Sequence, residues 1–330
     1  MGDGEIVISR NRMGIDIRVI IINRIKNMSV VKNYLSLVKF SHTIFALPFA
    51  LIGFVLGVRA QWMAQLPVEH FFLKFFLVLV CMVTARSTAM AFNRYLDRHF
   101  DKLNPRTAIR EIPAGIIKAE KALVFIFINM AVFMVASFFI NSICFYLSPV
   151  ALFVILFYSY TKRFTYLCHL VLGIGLSLAP IGAYLAVTGS FALLPLLFSF
   201  AVVFWVSGFD IIYALQDIEF DKSQSLYSIP SYWGLNKALS IARVLHVFSA
   251  ALVIAAYFIG GFHFVYLIGL LVFVGMLLYQ NSIVKPHDLS KVNIAFMTAN
   301  GIASIVFIIF VIASLVIEMT SANNNFIHFN

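Results

Sequence analysis

Charge is scarce in this chain. Only 12% of its 330 residues are Asp, Glu, Lys or Arg, against 62% hydrophobic, and the mean hydropathy is +0.96. A soluble domain carries roughly a quarter charged residues because its surface must meet water. The shortage therefore excludes a soluble domain around one core, and most of the apolar excess must face lipid. Cysteine is scarcer still. Cys81, Cys144 and Cys168 have no pairing pattern and no metal-ligand spacing, and each lies in or beside an apolar stretch. That excludes a disulfide scaffold and a zinc site and leaves three small apolar fillers. Acidic residues number 14 against 24 Lys and Arg, for a net charge of +10. Nothing in the pattern suggests a nucleic-acid surface.

What the chain has in quantity is apolar length. Nine runs stand out, at 42–60, 70–93, 121–140, 142–160, 166–187, 191–214, 236–259, 261–280 and 292–317. Each is near the roughly 20 residues that a bilayer crossing requires. Backbone polar groups in lipid must be satisfied within the segment, so the expected fold is an all-α integral membrane protein of about nine transmembrane helices. Gly173, Gly175, Gly182 and Ala183 in the fifth run suit close helix packing.

Loop charge sets the orientation. Residues 1–41 and the loops after runs two, four, six and eight, with their adjoining helix ends, hold 21 of the 24 Lys and Arg; Arg59, Lys74 and Arg86 are the rest. The positive-inside rule puts that side, with the N-terminus, in the cytoplasm of a bacterial inner or plasma membrane. The division is then a basic N-terminal segment 1–38, a polytopic membrane domain 39–320 and a short polar tail 321–330. Segment 1–38 does not read as a secretory signal, since its most apolar run, residues 19–22, is four residues long. Two readings stand for it: a helix lying on the membrane surface, or a chain that starts at Met28.

The acids carry the most information. Six of the 14 gather in two clusters, Asp97 and Asp101 after the second run and Asp210, Asp217, Glu219 and Asp221 after the sixth, both on the cytoplasmic side of this topology. Asn93, Asp97 and Asp101 recur every four residues, so a helix carries them on one face. Three oxygen-bearing side chains in a row suit a hard cation such as Mg²⁺, which takes carboxylates, waters and substrate phosphates. The bland alternative is a solvated helix end with Arg94, Arg98 and Lys102 pairing the acids. Asp217 and Asp221 repeat the four-residue spacing. Asp210 follows an apolar stretch near the membrane boundary, where an ionisable group is a functional candidate by default.

Cations complete the pattern. Arg106 and Arg110 follow the first cluster in a loop punctuated by Pro105, Pro113 and Gly115, which is suited to fold over the site. After the fourth run, Tyr158 and Lys162 share a helical face, with Arg163 next to them. Arg and Lys beside metal-binding acids make a diphosphate clamp. The alternative for Lys162 and Arg163 is positive-inside anchoring alone. His99 lies between the faces of the first cluster, and His169 and His246 sit in or beside apolar runs; all three read as structural or surface residues.

Asn93-x-x-x-Asp97-x-x-x-Asp101, Tyr158-x-x-x-Lys162 and Asp217-x-x-x-Asp221, spread over nine runs, resemble the UbiA superfamily of intramembrane prenyltransferases. Residues 93–115 resemble its 4-hydroxybenzoate polyprenyltransferase branch. Residues 208–217 are more similar to members associated with menaquinone made through futalosine, which act on 1,4-dihydroxy-6-naphthoate. The resemblance implies helices around a central cavity, capped by the Asp motifs on the cytoplasmic side. It implies Asn93, Asp97, Asp101, Asp217 and Asp221 as holders of Mg²⁺ and diphosphate. Lys162 and Arg163 would contact phosphate oxygens beside Tyr158, with Arg106 and Arg110 as further candidates. For Asp210 it leaves two roles open, acceptor anchor or base. The implied reaction joins a polyprenyl diphosphate to an aromatic acid in quinone biosynthesis, with the bilayer as the surrounding partner and no obligate protein partner.

Two rival classes fit less of the chain. A transporter places its coupling charges near mid-bilayer, whereas these acids gather at one membrane face. A purely structural subunit gives no reason for two metal-spaced acid motifs.

Overall fold

Where the nine apolar runs lie, nine helices form. The computed structural model describes residues 30–38 and 47–327, with side chains through Ser321. The readings for residues 1–29 lie outside the described residues, as do residues 39–46, residues 328–330 and the side chains of 322–327. Helices run as α1 (Val30–Leu37), α2 (Leu47–Met63), α3 (Phe71–Leu96), α4 (Arg98–Leu103), α5 (Ala119–Ile140), α6 (Ser142–Thr161), α7 (Cys168–Thr188), α8 (Leu193–Ala214), α9 (Ile218–Ser223), α10 (Ile229–Gly260), α11 (Tyr266–Ile283) and α12 (Asn300–Ile327). A 3₁₀ turn (Leu215–Asp217) joins α8 to α9, and a π-helical turn (Ile294–Ala299) leads into α12. Eight of these segments are long and apolar enough to cross a membrane, and α2 is a ninth, shorter apolar helix of 17 residues. The chain is a multi-pass integral membrane protein.

The seventh apolar run begins at 236 for a structural reason. Gly234 has φ 77° and ψ 173°, which breaks α10 into a short N-terminal turn and the long apolar helix. A residue with a Cβ is disfavoured at that φ.

Inside the bundle, α8 is the most buried helix. Trp205 on α8 packs with Phe49, Phe273 and Phe209, and its indole N–H donates to Asn300 Oδ1 at 3.1 Å. This satisfies the one polar atom of a fully buried aromatic. By contrast α5 and α6 turn large apolar residues such as Phe138, Phe139 and Phe153 outward, as lipid contact requires.

Small residues set the closest approaches. An added Cβ on Gly53 of α2 would lie 1.9 Å from the Pro180 carbonyl oxygen on α7, and one on Gly173 would lie 2.5 Å from Val203 O on α8. Gly173 thus performs the packing expected of it. Gly182 does not: nothing lies within 4 Å of its would-be Cβ, because it lines a cavity.

At one end of the bundle Arg59 of α2 donates to Gly260 O at 2.8 Å and pairs with Glu318 of α12 at 2.9 Å. The opposite end carries both Asp clusters. There Ile211, Ile212, Leu215, Ile229, Leu239 and Val292 form a separate apolar core beneath the second cluster. Leu37, Ala91, Ile112, Ile117 and Ile126 form another, under the loop that follows α4.

Candidate active site

The first motif keeps its helical register across a boundary. Asp97 ends α3 at φ −86°, ψ 4°, yet its N–H still donates to Asn93 O at 2.9 Å, and its carbonyl accepts the Asp101 N–H at 2.7 Å. Asn93, Asp97 and Asp101 therefore stay on one face, and Asn93 Nδ2 donates to Asp97 Oδ2 at 3.1 Å.

Each motif carboxylate is matched to one cation from outside its own helix, three of the four from far along the chain. Arg163 Nη2 lies 2.8 Å from Asp97 Oδ1, and Arg110 Nη1 lies 2.6 Å from Asp101 Oδ1. Arg106 grips Asp217 with two nitrogens, at 3.1 and 2.5 Å, and Lys162 Nζ lies 2.7 Å from Asp221 Oδ1. The cations of the loop after α4 thus serve one acid in each motif, and so do the cations at the end of α6. Lys162 and Arg163 do more than anchor a loop.

Arg94, Arg98 and Lys102 are not the partners of these acids. Arg98 turns back to Tyr95 O at 2.7 Å, and Arg94 is buried with its Nη1 lacking a partner among the described residues. His99 is exposed beside Phe100.

The loop 104–118 folds over the site as its Pro and Gly content suggested. Asn104 Nδ2 donates to Asp217 Oδ1 at 3.2 Å while Asn104 Oδ1 accepts the Arg106 N–H at 2.9 Å. Arg106 also donates to the Tyr213 hydroxyl at 3.0 Å. Thr107 closes the turn on Asp101 O at 3.1 Å.

Burial and charge oppose each other here. Burial drives the Asp97 carboxyl above the ordinary carboxylate range, and Arg163 only partly reverses this. For Lys162, burial favours the neutral amine, but the Asp221 carboxylate outweighs it and the pKa rises. Arg106 behaves likewise: burial is overcome by Asp217, and its pKa rises.

Below the rim lies a cavity of about 720 Å³, bounded by α3, α5, α6, α7 and α8. Its wall near the motifs includes Asn93, Tyr158, Asp210, Tyr213 and Arg86, and its far end includes Phe133 and Cys144. No residue of α10 or α11 lines it, so the cavity sits toward the N-terminal side of the bundle. Phe296 closes one side from the π-helical turn and packs on the Tyr213 ring at 4.3 Å.

Among the described residues, no three acidic, His or Cys side chains converge as a ready metal cage. The donor set nevertheless fits an ion that arrives with its substrate. Asp101 Oδ2 is buried with no partner, and Mg²⁺ keeps waters and substrate phosphates around only one or two carboxylates.

Two residues at this site were not assigned chemistry from the sequence. His169 pairs with Asp210, Nδ1 to Oδ2, at 2.6 Å. Arg86 lines the cavity with its Nε buried and without a partner among the described residues. Their signal was present, because ionisable groups inside apolar spans are functional candidates by default.

A profile of the UbiA prenyltransferase family matches residues 43–316. The chain belongs to the UbiA prenyltransferase family. As a member it is an enzyme of prenyl transfer. The 4-hydroxybenzoate octaprenyltransferase of Tolumonas auensis is 29% identical over 248 residues, covering 75% of this chain and 86% of its own length. The enzyme of the same name from Coxiella burnetii is 25% identical, covering 68% and 78%. Among solved structures, an apo UbiA homologue from Aeropyrum pernix K1 superposes with a TM-score of 0.71 at 28% identity, over 84% of this chain and 98% of its own. A UbiA homologue from Archaeoglobus fulgidus bound to GPP and Mg²⁺ has a TM-score of 0.68 over 86% and 99%. At 20% identity that likeness speaks for the fold.

Proposed function

We propose that this UbiA family member transfers a polyprenyl group from a polyprenyl diphosphate to a ring carbon of an aromatic hydroxy acid, with Mg²⁺ as cofactor. The observation that carries the reading is the rim of four carboxylates, each matched to a cation, above an apolar cavity. A diphosphate head needs cations and metal-binding acids at the mouth, and a prenyl tail needs apolar walls.

Asn93, Asp97, Asp101, Asp217 and Asp221 would hold the ion. When bound, Mg²⁺ neutralises charge developing on the diphosphate as the allylic carbon–oxygen bond ionises. Arg106, Arg110, Lys162 and Arg163 stand on the same rim and donate to diphosphate oxygens. The cavity excludes water from the allylic cation, and the Tyr158 and Phe209 rings on its wall offer π faces to it. The ring carbon of the acceptor then attacks.

Two features favour an acidic aromatic acceptor. The relatives at 25 and 29% identity are named 4-hydroxybenzoate octaprenyltransferases. Arg86 lines the cavity and brings a guanidinium group to its wall, suited to a carboxylate. The similarity of residues 208–217 to futalosine-type members makes 1,4-dihydroxy-6-naphthoate the second candidate acceptor. The charge asymmetry of the loops supports a cytoplasmic site in a bacterial inner or plasma membrane.

The test is incubation of purified protein with a polyprenyl diphosphate, Mg²⁺ and each acid, read by product mass. Prenylation of one acid identifies the acceptor. If neither acid is prenylated with any allylic donor, the reading is wrong.

A further inference from the structure

His169 stands at the start of α7 and is 3% exposed. Both of its ring nitrogens are engaged. The backbone N–H of Ile229 points at Nε2 from 3.3 Å, and Asp210 Oδ2 lies 2.6 Å from Nδ1. A backbone amide can only donate, so Nε2 accepts and carries no proton. The ring proton therefore sits on Nδ1, and a neutral imidazole donates it to Asp210 Oδ2.

The ring cannot easily move. Ser207 Oγ of α8 donates to Val203 O at 2.6 Å and lies 3.1 Å from the His169 carbonyl, and Gly173, one turn on, brings α7 against the same serine. Ile229 is the first residue of α10, and its N-cap Ser228 donates to Asp221 Oδ2 at 3.1 Å. One helix start thus buttresses His169 and the second acid motif together.

Asp210 has a different surrounding on its other side. It lines the cavity, its side chain is 25% exposed, and its Oδ1 takes no hydrogen bond from a described residue. One oxygen is pinned by His169 and the other is available on the cavity side.

We infer that Asp210 is the base that takes the proton lost from the acceptor ring, and that His169 is the positioning residue that keeps it ionised and aimed. The inference rests on the aromatic-acceptor reading above. In the step, a π electron pair of the ring forms the new carbon–carbon bond to the allylic carbon, whose bond to the diphosphate oxygen breaks with its electrons. The attacked ring carbon then carries one hydrogen too many for aromaticity. That proton passes to Asp210 Oδ1, and the carbon–hydrogen pair returns to the ring. The protonated Asp210 releases its proton to the departing diphosphate or to water at the cavity mouth.

Three substitutions separate positioning from bracing. His169→Asn keeps a donor at the Nδ1 position, His169→Gln moves it to the Nε2 position, and His169→Phe removes it. The measurements are kcat, the KM for each substrate, thermal unfolding in detergent, and the deuterium isotope effect for an acceptor labelled at the attacked ring carbon.

The Gln and Phe variants should lose on the order of 10²-fold in kcat with the KM for the prenyl diphosphate unchanged. Their isotope effect should exceed that of the wild type, because proton loss becomes the slow step. His169→Asn should recover most of the rate. Wild-type kcat and isotope effect in the Phe and Gln variants would overturn the assignment. So would an equal loss in all three variants in step with lowered unfolding temperature, which marks a brace. If the wild type prenylates no aromatic hydroxy acid, the acceptor reading itself falls. If it does while the variants turn over normally, only the roles given to His169 and Asp210 fall.

Discussion

Lys162→Met strands the Asp221 carboxylate. Asp221 is fully buried, Ser228 Oγ satisfies its Oδ2 at 3.1 Å, and Lys162 is its only ion-pair partner among the described residues. Removing one partner of a buried pair costs about 3–5 kcal/mol because a charge is left uncompensated. The Lys162 side chain is 33% exposed, so water already screens part of the pair. That puts the expected loss at the low end, about 3 kcal/mol. Asp221→Asn removes the charge and so the need to neutralise it, and the amide oxygen still accepts from Ser228. Alone it should cost under about 1 kcal/mol, since the freed ammonium reaches water. The double variant should return close to wild type. Unfolding in mixed micelles by SDS titration gives all four corners of the cycle, and prenyl transfer is assayed on the same samples. Stability should recover in the double variant while turnover stays lost in all three, because the clamp is gone. A Lys162→Met variant as stable as wild type would refute the reasoning, as would a double variant no more stable than Lys162→Met.

Other expectations follow from the rim and the packing. Asp97→Ala and Asp217→Ala should each lower turnover by at least about 10²-fold while the protein stays monodisperse in detergent; loss of folding instead would mark the motifs as structural. EDTA should bring prenyl transfer to background and added Mg²⁺ should restore it, whereas a full rate in EDTA would remove the metal from the reaction. Gly53→Ala should destabilise the bundle by about 1–3 kcal/mol or more, since the new Cβ meets the Pro180 carbonyl at 1.9 Å. SDS titration checks this, and wild-type stability would mean that α2 and α7 part easily.

The apolar runs and the motifs were legible because both are local. A bilayer crossing is written in consecutive residues, and four-residue spacing puts Asn93, Asp97 and Asp101 on one face whatever surrounds them. What pairs with those acids was not legible in the same way. Arg163 lies 66 residues from Asp97 and Arg106 lies 111 from Asp217. The nearer cations Arg94, Arg98 and Lys102 fit the same spacing equally well until the chain is folded. His169 and Asp210 are 41 residues apart on different helices, so neither announces the other. Gly182 looked like a packing glycine because composition cannot tell a helix-facing side from a cavity-facing one. The break at Gly234 was visible only as the late start of an apolar run.

The loop after α4 has two footholds, Arg110 on the first motif and Arg106 with Asn104 on the second. Whatever competes for either acid loosens the segment that holds the other. The two motifs are therefore linked thermodynamically: a head group that draws Arg106 off Asp217 lowers the cost of drawing Arg110 off Asp101. The segment's resistance to protease should therefore change as a unit over the concentration range in which the donor saturates the site, rather than in two steps.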